Sequence, residues 1–164
     1  MSSNGLRTNF WGPHAWEFLF STIAGAYPVR VDPKNKDHVK TVKAFINMMK
    51  SLQYTMPCIW CRDSHKKHMR EIPIEQYTGS RREMMKWLYL IHDSVNNKLI
   101  RQEQQCFERN KTLLIEKKLS RDQLRSKLKI LREKIIHTKP SPSFASILAR
   151  YEKQRAGKTK SLCH

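Results

Sequence analysis

Apolar residues recur three and four positions apart through the first hundred residues, and this pattern predicts four α-helices. They are expected over about 13–26, 33–52, 58–70 and 80–100. No stretch alternates apolar and polar residues as a half-buried strand would. The predicted fold is therefore all-α, with these helices packed as a bundle.

Residues typical of helix starts precede three of these segments. Pro13 suits a first helical position because its missing N–H would go unused there. Asp32 is predicted to cap the second helix, with Pro33 at its first position. Ser80 and Glu83 have the spacing of a capping box and predict the start of the fourth helix.

The fourth helix is apolar around more than one face, so we expect it to be the central and most buried helix. Its apolar residues are Met84, Met85, Trp87, Leu88, Leu90, Ile91, Val95 and Leu99.

After residue 100 the chain becomes highly charged. Residues 101–137 lack Gly and Pro, and Ser120 with Gln123 offers another capping box, so two helices are predicted to meet near Leu119. In the later helix an apolar stripe must pack either on its own domain or on a partner helix, and the sequence leaves both open. The stripe consists of Leu124, Leu128, Leu131 and Ile135.

The chain ends with a predicted linker over 139–142, a short helix over 144–155 and a flexible basic end that carries Cys163. The predicted domains are a catalytic domain over 1–106, a basic amphipathic extension over 107–138, and a linker with a mostly flexible tail over 139–164. On this division, truncation after Pro140 should leave the chemistry of the first domain intact.

Charge is unevenly distributed over the 164 residues, whose formal net charge is +18. Residues 1–100 hold 15 basic and 8 acidic residues, a net charge of +7, and residues 101–164 hold 17 and 6, a net charge of +11. A basic surface favours nucleic acid, an anionic membrane or an acidic protein as partner. No apolar run predicts a transmembrane helix or a signal peptide, so we expect a cytoplasmic protein.

Two cysteines stand two residues apart in Pro57-Cys58-Ile59-Trp60-Cys61, and four cysteines in all are too few for a disulfide scaffold. The pair favours redox chemistry, metal binding or a structural disulfide. His65 and His68 follow, but zinc sites normally separate their ligand pairs by about a dozen residues, so no metal site is predicted. We interpret both histidines as part of a solvated basic face with Lys66 and Lys67.

A dithiol that acts as an oxidant repeatedly needs an electron acceptor, and a flavin can serve. No glycine-rich dinucleotide turn follows a strand, so a flavin site would have to lie between helices. The candidates are Trp11, Trp16, His92, Asn96 and Lys98. The alternative interpretation is that these residues have no cofactor role, and that the tryptophans and the histidine belong to the core while the lysine is solvated.

Three motifs stand in the order and at the separations of a known family. Trp11-Gly12-Pro13 with Trp16 and Tyr27-Pro28 resembles W-G-P-x-x-W followed by Y-P, and 57–61 resembles P-C-x-x-C. Residues 87–99 resemble W-L-x-x-x-H-N-x-V-N-x-K-L. Over about residues 8–106 the chain resembles the Erv/ALR family of FAD-linked sulfhydryl oxidases, most closely the versions of large DNA viruses.

The resemblance implies a four-helix bundle with a short fifth helix, usually a homodimer. Cys61 would lie beside the flavin in a charge-transfer contact and Cys58 would exchange with substrate thiols. Electrons would pass from thiol-containing protein substrates through the cysteine pair and FAD to oxygen, giving hydrogen peroxide. The implied FAD-binding residues are Trp11, Gly12, Trp16, Phe20, His92, Val95, Asn96, Lys98 and Leu99.

The chain departs from the family pattern at three positions. Phe20 replaces a histidine, which removes a polar contact, and Asp93 replaces an asparagine, which brings a charge near the cofactor. Cys106 matches a family cysteine whose partner position holds Tyr89, so that disulfide cannot form. A second class of function stays open, a non-enzymatic basic adaptor that binds nucleic acid or an acidic protein.

Overall fold

A computed structural model describes residues 5–117 and 119–154, and over these ranges the protein is all-α, as predicted. It has six α-helices and one short 3₁₀ turn, and no strand lies in the described ranges. The helices are α1 (Thr8–Ala26), α2 (Lys36–Thr55), α3 (Ile59–Glu71), α4 (Arg81–Ile115), α5 (Arg121–Ile135) and α6 (Phe144–Lys153), with the 3₁₀ turn at Ile74–Tyr77.

The described chain forms two compact units. The first contains residues 5–91 and 143–154, and the second contains residues 92–142. Helix α4 therefore begins in the first unit and ends in the second. The predicted domain boundary after residue 106 stays a prediction.

The core of the first unit is built around the first part of α4, as the apolar pattern predicts. Trp87 is fully buried and its indole N–H donates to the carbonyl of Ile72 at 2.9 Å. Tyr27 is buried as well and its hydroxyl donates to the carbonyl of Thr78 at 2.8 Å. Burial, with the nearby charge of Glu83, raises the pKa of Tyr27 to about 12. The α4 residues of this core are Met84, Met85, Trp87, Leu88 and Ile91.

Helix α6 belongs to this core although it comes last in the chain. Ile147 and Tyr151 are buried, and the Tyr151 ring stacks on Phe20 with ring centroids 5.6 Å apart. At the exposed edge Arg150 pairs with Glu17 at 2.8 Å. The short helix expected over 144–155 is present, and it packs on α1 instead of forming part of a flexible tail. The predicted flexible end over 155–164, with Cys163, lies outside the described residues.

The second unit contains no fully buried residue in its described part. The capping box predicted at its second helix is present: Ser120 accepts from the Gln123 N–H and the Gln123 side chain accepts from the Ser120 N–H. Glu103 of α4 accepts from the backbone N–H groups of His137 at 3.0 Å and Thr138 at 2.9 Å. Capping and these hydrogen bonds therefore hold the unit without a deep core.

Two predicted helix starts are wrong. Helix α1 begins five residues before Pro13, which lies inside the helix, in exposed turns where water can solvate the carbonyl that proline leaves unpaired. Helix α2 is capped by Asn35, whose side chain accepts from the N–H groups of Asp37 and His38. Asp32 instead accepts from the Lys34 N–H at 2.9 Å and so closes the preceding turn.

Candidate redox site

Cys58 and Cys61 form a disulfide at the start of α3, with Cα atoms 5.2 Å apart. Pro57 stops α2 from continuing into this segment, and Cys58 takes the N-cap position of α3. The Cys58 sulfur accepts from the Cys61 N–H at 3.2 Å. A sulfur at a helix N-terminus faces unpaired N–H groups and the positive end of the helix dipole, which favour a thiolate when the disulfide opens.

The two cysteines differ in exposure. Cys58 is only 6% exposed, whereas Cys61 is half-buried. Two neighbouring apolar side chains are exposed, Ile59 at 42% and Trp60 at 67%. The disulfide thus lies below the surface beside an apolar rim.

His65 and His68 are buried, so their interpretation as a solvated basic face is wrong. His65 Nε2–H donates to the carbonyl of Met49 on α2 at 2.8 Å, and burial lowers the pKa of His65. Among residues 5–117 and 119–154, no three His, Cys, Asp or Glu side chains group as metal ligands. His65 therefore joins α3 to α2, whereas His68 lies near Ser64 at 3.4 Å and Glu71 at 3.8 Å on its own helix.

The basic residues of α3 are partly engaged elsewhere. Arg62 donates to the carbonyl of Tyr54 at 3.3 Å, and Lys67 pairs with Glu71 at 3.6 Å. The helix N-terminus is therefore the main source of positive potential at the cysteine pair, and the lysine charges contribute less.

The predicted cofactor residues of α1 lie in the first unit. Trp16 packs against the core in a half-buried position, and Phe20 is buried under Tyr151. Trp11 is half-buried, and its indole N–H is a buried donor without a partner among the described residues. Gly12 lies beside it, and a Cβ built there would meet nothing within 4 Å. An unpaired buried donor fits a cofactor that brings an acceptor.

The predicted cofactor residues of α4 lie in the second unit. Asn96 donates to the Ser141 hydroxyl at 2.9 Å, and that hydroxyl lies 3.4 Å from His92 Nδ1. Burial lowers the pKa of His92, although the charge of Asp93 opposes the shift. The structure therefore brings His92 and Asn96 together on one face, where both are half-buried and share the Ser141 hydroxyl as a neighbour. Val95 is half-buried, and Lys98 and Leu99 are exposed.

Two of the three departures from the family pattern, at Asp93 and at the Tyr89–Cys106 pair, have local surroundings that the structure describes. Asp93 accepts from the Asn97 side chain at 3.0 Å, so one of its carboxylate oxygens is hydrogen-bonded within the helix. Tyr89 packs against Phe144 with ring centroids 5.5 Å apart, so an aromatic contact replaces the family disulfide. Cys106 is free and exposed.

The sequence interpretation missed three residues that contact predicted site residues: Ser141 lies near His92, Tyr151 stacks on Phe20, and Gly5 pairs with Cys58. Tyr151 has a signal, because Phe144, Ile147, Leu148 and Tyr151 stand at helical spacing. Ser141 and Gly5 have none, since each contacts a residue about fifty positions away in sequence.

Comparisons with known proteins point to one family. A model of the Erv1/Alr family matches residues 13–117. A probable FAD-linked sulfhydryl oxidase of Acanthamoeba polyphaga mimivirus is 29% identical over 87 residues, which are 52% of this chain and 56% of that protein.

Two further relatives agree. The mitochondrial FAD-linked sulfhydryl oxidase of Saccharomyces cerevisiae is 30% identical over 95 residues, 58% of this chain and 46% of the relative. An FAD-linked sulfhydryl oxidase of Arabidopsis thaliana is 32% identical over 88 residues, 54% and 41% of the two proteins. The chain spans about half the length of the curated relatives it matches.

Proposed function

The chain belongs to the Erv1/Alr family, and from that premise we propose that it is an FAD-dependent sulfhydryl oxidase. It forms disulfides in thiol-containing proteins, passes the electrons through Cys58–Cys61 and FAD to oxygen, and produces hydrogen peroxide. The observation that carries the proposal is the disulfide that caps α3 within the matched region. The relatives' names support the same activity.

The chemistry of the cysteine pair follows from its position. A substrate thiolate attacks the Cys58 sulfur, the bond to Cys61 breaks, and Cys61 leaves as a thiolate. The positive end of the α3 dipole stabilises this charge, while the Cys61 N–H contacts the Cys58 sulfur and stabilises the charge that forms on Cys58 in the next step. A second substrate thiolate attacks the substrate's sulfur in the mixed disulfide and releases Cys58. The substrate thereby loses two electrons and the cysteine pair gains them.

Several residues of this chain would hold FAD. Trp11 offers its unpaired N–H, Trp16 an aromatic face, and His92 and Asn96 polar atoms one helical turn apart. Gly12, Phe20, Val95, Lys98 and Leu99 complete the proposed set, in which Phe20 supplies packing alone. Bound FAD would supply the two-electron acceptor that oxygen regenerates.

The first test compares three cysteine substitutions. Cys58→Ser and Cys61→Ser should each abolish oxygen consumption with dithiothreitol, because neither variant can form the disulfide. Cys106→Ser is the matched control and should keep full turnover, since Cys106 is free. Normal turnover in either active-pair variant would refute the assignment.

The second test concerns the cofactor. Purified protein should show a flavin absorbance spectrum, and His92→Ala with Asn96→Ala should yield protein poor in FAD. Added FAD should then no longer raise the melting temperature, because a ligand stabilises only the state that binds it. Asn97→Ala on the same helix is the control. Full FAD occupancy in the double variant would show that these two residues only pack.

A homodimer, a viral source and a cytoplasmic location are proposed with this function, on the family resemblance and the sequence. No helix in the described part of the chain is long and apolar enough to cross a membrane. Light scattering of the purified protein decides the oligomeric state.

A second function, binding of nucleic acid, is favoured by a basic groove between α4 and α5. Arg125, Lys129 and Arg132 line it on one face of α5, together with Phe107 and Lys111 of α4, and these four cations outnumber the two acidic residues of the lining, Glu108 and Asp122. No ion pair to the three α5 cations is found among the described residues, whereas Lys111 pairs with Glu108 at 3.0 Å. Regularly spaced cations beside an aromatic ring suit a phosphate backbone and its bases.

This proposal is tested with a labelled oligonucleotide at low and moderate salt. Reversing the three α5 charges to Glu should abolish binding, and wild-type affinity should fall steeply with salt. Reversing Lys36, Lys40 and Lys43 of α2 makes the same charge change elsewhere and should do much less. Equal losses of binding in both variants would show that net charge alone accounts for the affinity. Selective binding of an acidic peptide instead would assign the groove to a protein partner.

A further inference from the structure

Residues 5 and 6 lie directly against the active-pair segment. Gly5 forms an isolated antiparallel bridge with Cys58, and the Leu6 N–H donates to the carbonyl of Pro57 at 2.6 Å. Gly5 has φ +89°, and a Cβ built on it would overlap the Pro57 carbonyl and lie 3.1 Å from the Cys58 Cα. Only glycine allows this conformation and this approach at low cost.

This contact conflicts with the chemistry that the proposed function requires. Cys58 must be reached by a substrate thiolate, yet it is 6% exposed with Gly5 paired to it. Leu6 is 56% exposed, so the segment rests on the surface and contributes little to the core. Its hold on Pro57 and Cys58 is mainly backbone pairing, which another extended peptide can replace.

We propose that the Pro57–Cys58 backbone is a docking edge for an extended segment of the substrate protein, and that Gly5 and Leu6 occupy this edge in the free protein. The inference rests on the proposed oxidase function. The incoming segment replaces the Leu6 N–H as donor to the Pro57 carbonyl, and an apolar side chain of the segment packs on Ile59 and Trp60. This pairing aligns a substrate cysteine with the Cys58 sulfur for the exchange described above.

The docking edge selects substrates by conformation. An unfolded or extended cysteine-containing segment can offer a free N–H to the Pro57 carbonyl, whereas a cysteine inside a helix cannot, because its N–H groups are already bonded. Extended reduced chains are therefore the substrate class that this site favours over folded proteins and over small dithiols.

The first test measures access to Cys58 with a readout that depends neither on FAD nor on catalytic turnover. In reduced protein, alkylation of Cys58 by N-ethylmaleimide is followed by mass spectrometry, with exposed Cys106 as the internal reference. Gly5→Ala should raise the relative rate about five- to ten-fold, as expected when a contact worth one hydrogen bond is lost. Leu6→Pro, which removes the donor, should act in the same direction.

The matched control is Gly25→Ala, because a Cβ built on Gly25 meets nothing within 4 Å. It should leave the alkylation ratio unchanged. An unchanged ratio in Gly5→Ala and Leu6→Pro would overturn the proposal.

The second test examines the edge itself with two-cysteine peptides. Each peptide carries one N-methylated residue near its first cysteine, so that a single N–H is removed. The methylated position moves by one residue from one peptide to the next. One position should lower the rate of peptide oxidation by roughly ten-fold while the other does little, and Trp60→Ala should weaken the peptide reaction more than that of dithiothreitol.

The outcomes separate the two proposals. If the wild-type protein does not oxidise dithiothreitol, the oxidase proposal is refuted. Normal dithiothreitol oxidation with equal rates for all methylated peptides would leave the oxidase standing and defeat the docking edge alone.

Discussion

The two compact units are stabilised in different ways. Every fully buried side chain of the described chain lies in the first unit, residues 5–91 and 143–154, and none lies in the second, residues 92–142. The first unit therefore gains its stability mainly from removing apolar surface from water. The second depends on helix formation, a capping box and the hydrogen bonds to Glu103, all of which are local and individually small.

The difference places the cysteine pair in the part of the chain that is stabilised by a packed core. Cys58 is buried, and the hydrogen bond from His65 to the Met49 carbonyl joins α3 to α2, so the sulfurs and the helix N-terminus keep a defined geometry. The second unit is expected to open locally without global unfolding, because few buried contacts resist opening. A surface of this kind suits a binding role.

The largest expected effect comes from truncating the same side chain in each unit. Ile147→Ala should lower the free energy of unfolding by about 2–4 kcal/mol, because Ile147 is buried and the change leaves a cavity. Ile130→Ala should change it by less than about 0.5 kcal/mol, because Ile130 is 61% exposed. Urea unfolding measures both, and similar losses in the two variants would show that the units are equally dependent on packing.

The same comparison revises the expectation that truncation after Pro140 is harmless. The deletion removes Ile147 and Tyr151 from the core and uncovers Phe20. We now expect it to destabilise the first unit.

A smaller and purely local effect is expected from Glu103. Glu103→Gln should weaken the hydrogen bonds to His137 and Thr138 and raise amide exchange at Thr138 by roughly ten-fold, while urea unfolding of the first unit stays the same. Glu116→Gln, an exposed change on the loop before α5, is the control. Faster exchange throughout the first unit would mean that the units unfold together.

The pH dependence of this contact has a defined sign. Partial burial raises the pKa of Glu103, but hydrogen bonds from Thr138 and His137 outweigh it, so the pKa lies below its ordinary value of 4.5. The stabilisation is therefore complete above that ordinary value and is lost as the pH falls through the lower folded pKa. Protection of Thr138 should disappear in this acidic range.

The smallest effect concerns one histidine in each unit, since burial lowers the pKa of both His65 and His92. Below the ordinary value of 6.5 the unfolded chain binds the proton more readily, so stability falls with pH until the folded pKa is reached. His65→Gln should flatten this dependence of global unfolding on pH, measured by urea unfolding at pH 7 and at pH 5.5. His92→Gln should alter only exchange near Ser141; the reverse pattern would contradict the division into units.

The fold was largely predictable where the signal is local. The capping box at Ser120 and the buried faces of α4 depend on residues within one or two turns, so the sequence contains all the information. The cysteine pair at 58 and 61 was predictable for the same reason, as spacing alone allows the disulfide.

The failures at His65 and Ser141 share a different cause, which is dependence on a distant partner, whereas the wrong cap at Asp32 was a choice between two local candidates. His65 stands beside lysines and looks solvated, yet its partner is the Met49 carbonyl on another helix. Asp32 and Asn35 are both good caps, and local turn geometry decided between them. The pairing of Ser141 with His92 joins residues 49 positions apart, which no local pattern announces.

The contact between Ser141 and His92 also bears on how the chain folds during synthesis. The first unit cannot be completed until α6 has left the ribosome, because Tyr151 and Ile147 belong to a core whose other members precede residue 92. If residues 92–142 were unstructured, closing the loop between α4 and α6 would cost entropy that grows with loop length, and the docking of α6 would be slower. A segment whose own ends meet at Ser141 and His92 removes most of that cost, provided that it folds first. The least stable part of the protein would then be the one whose early formation sets the rate at which the most stable part is finished.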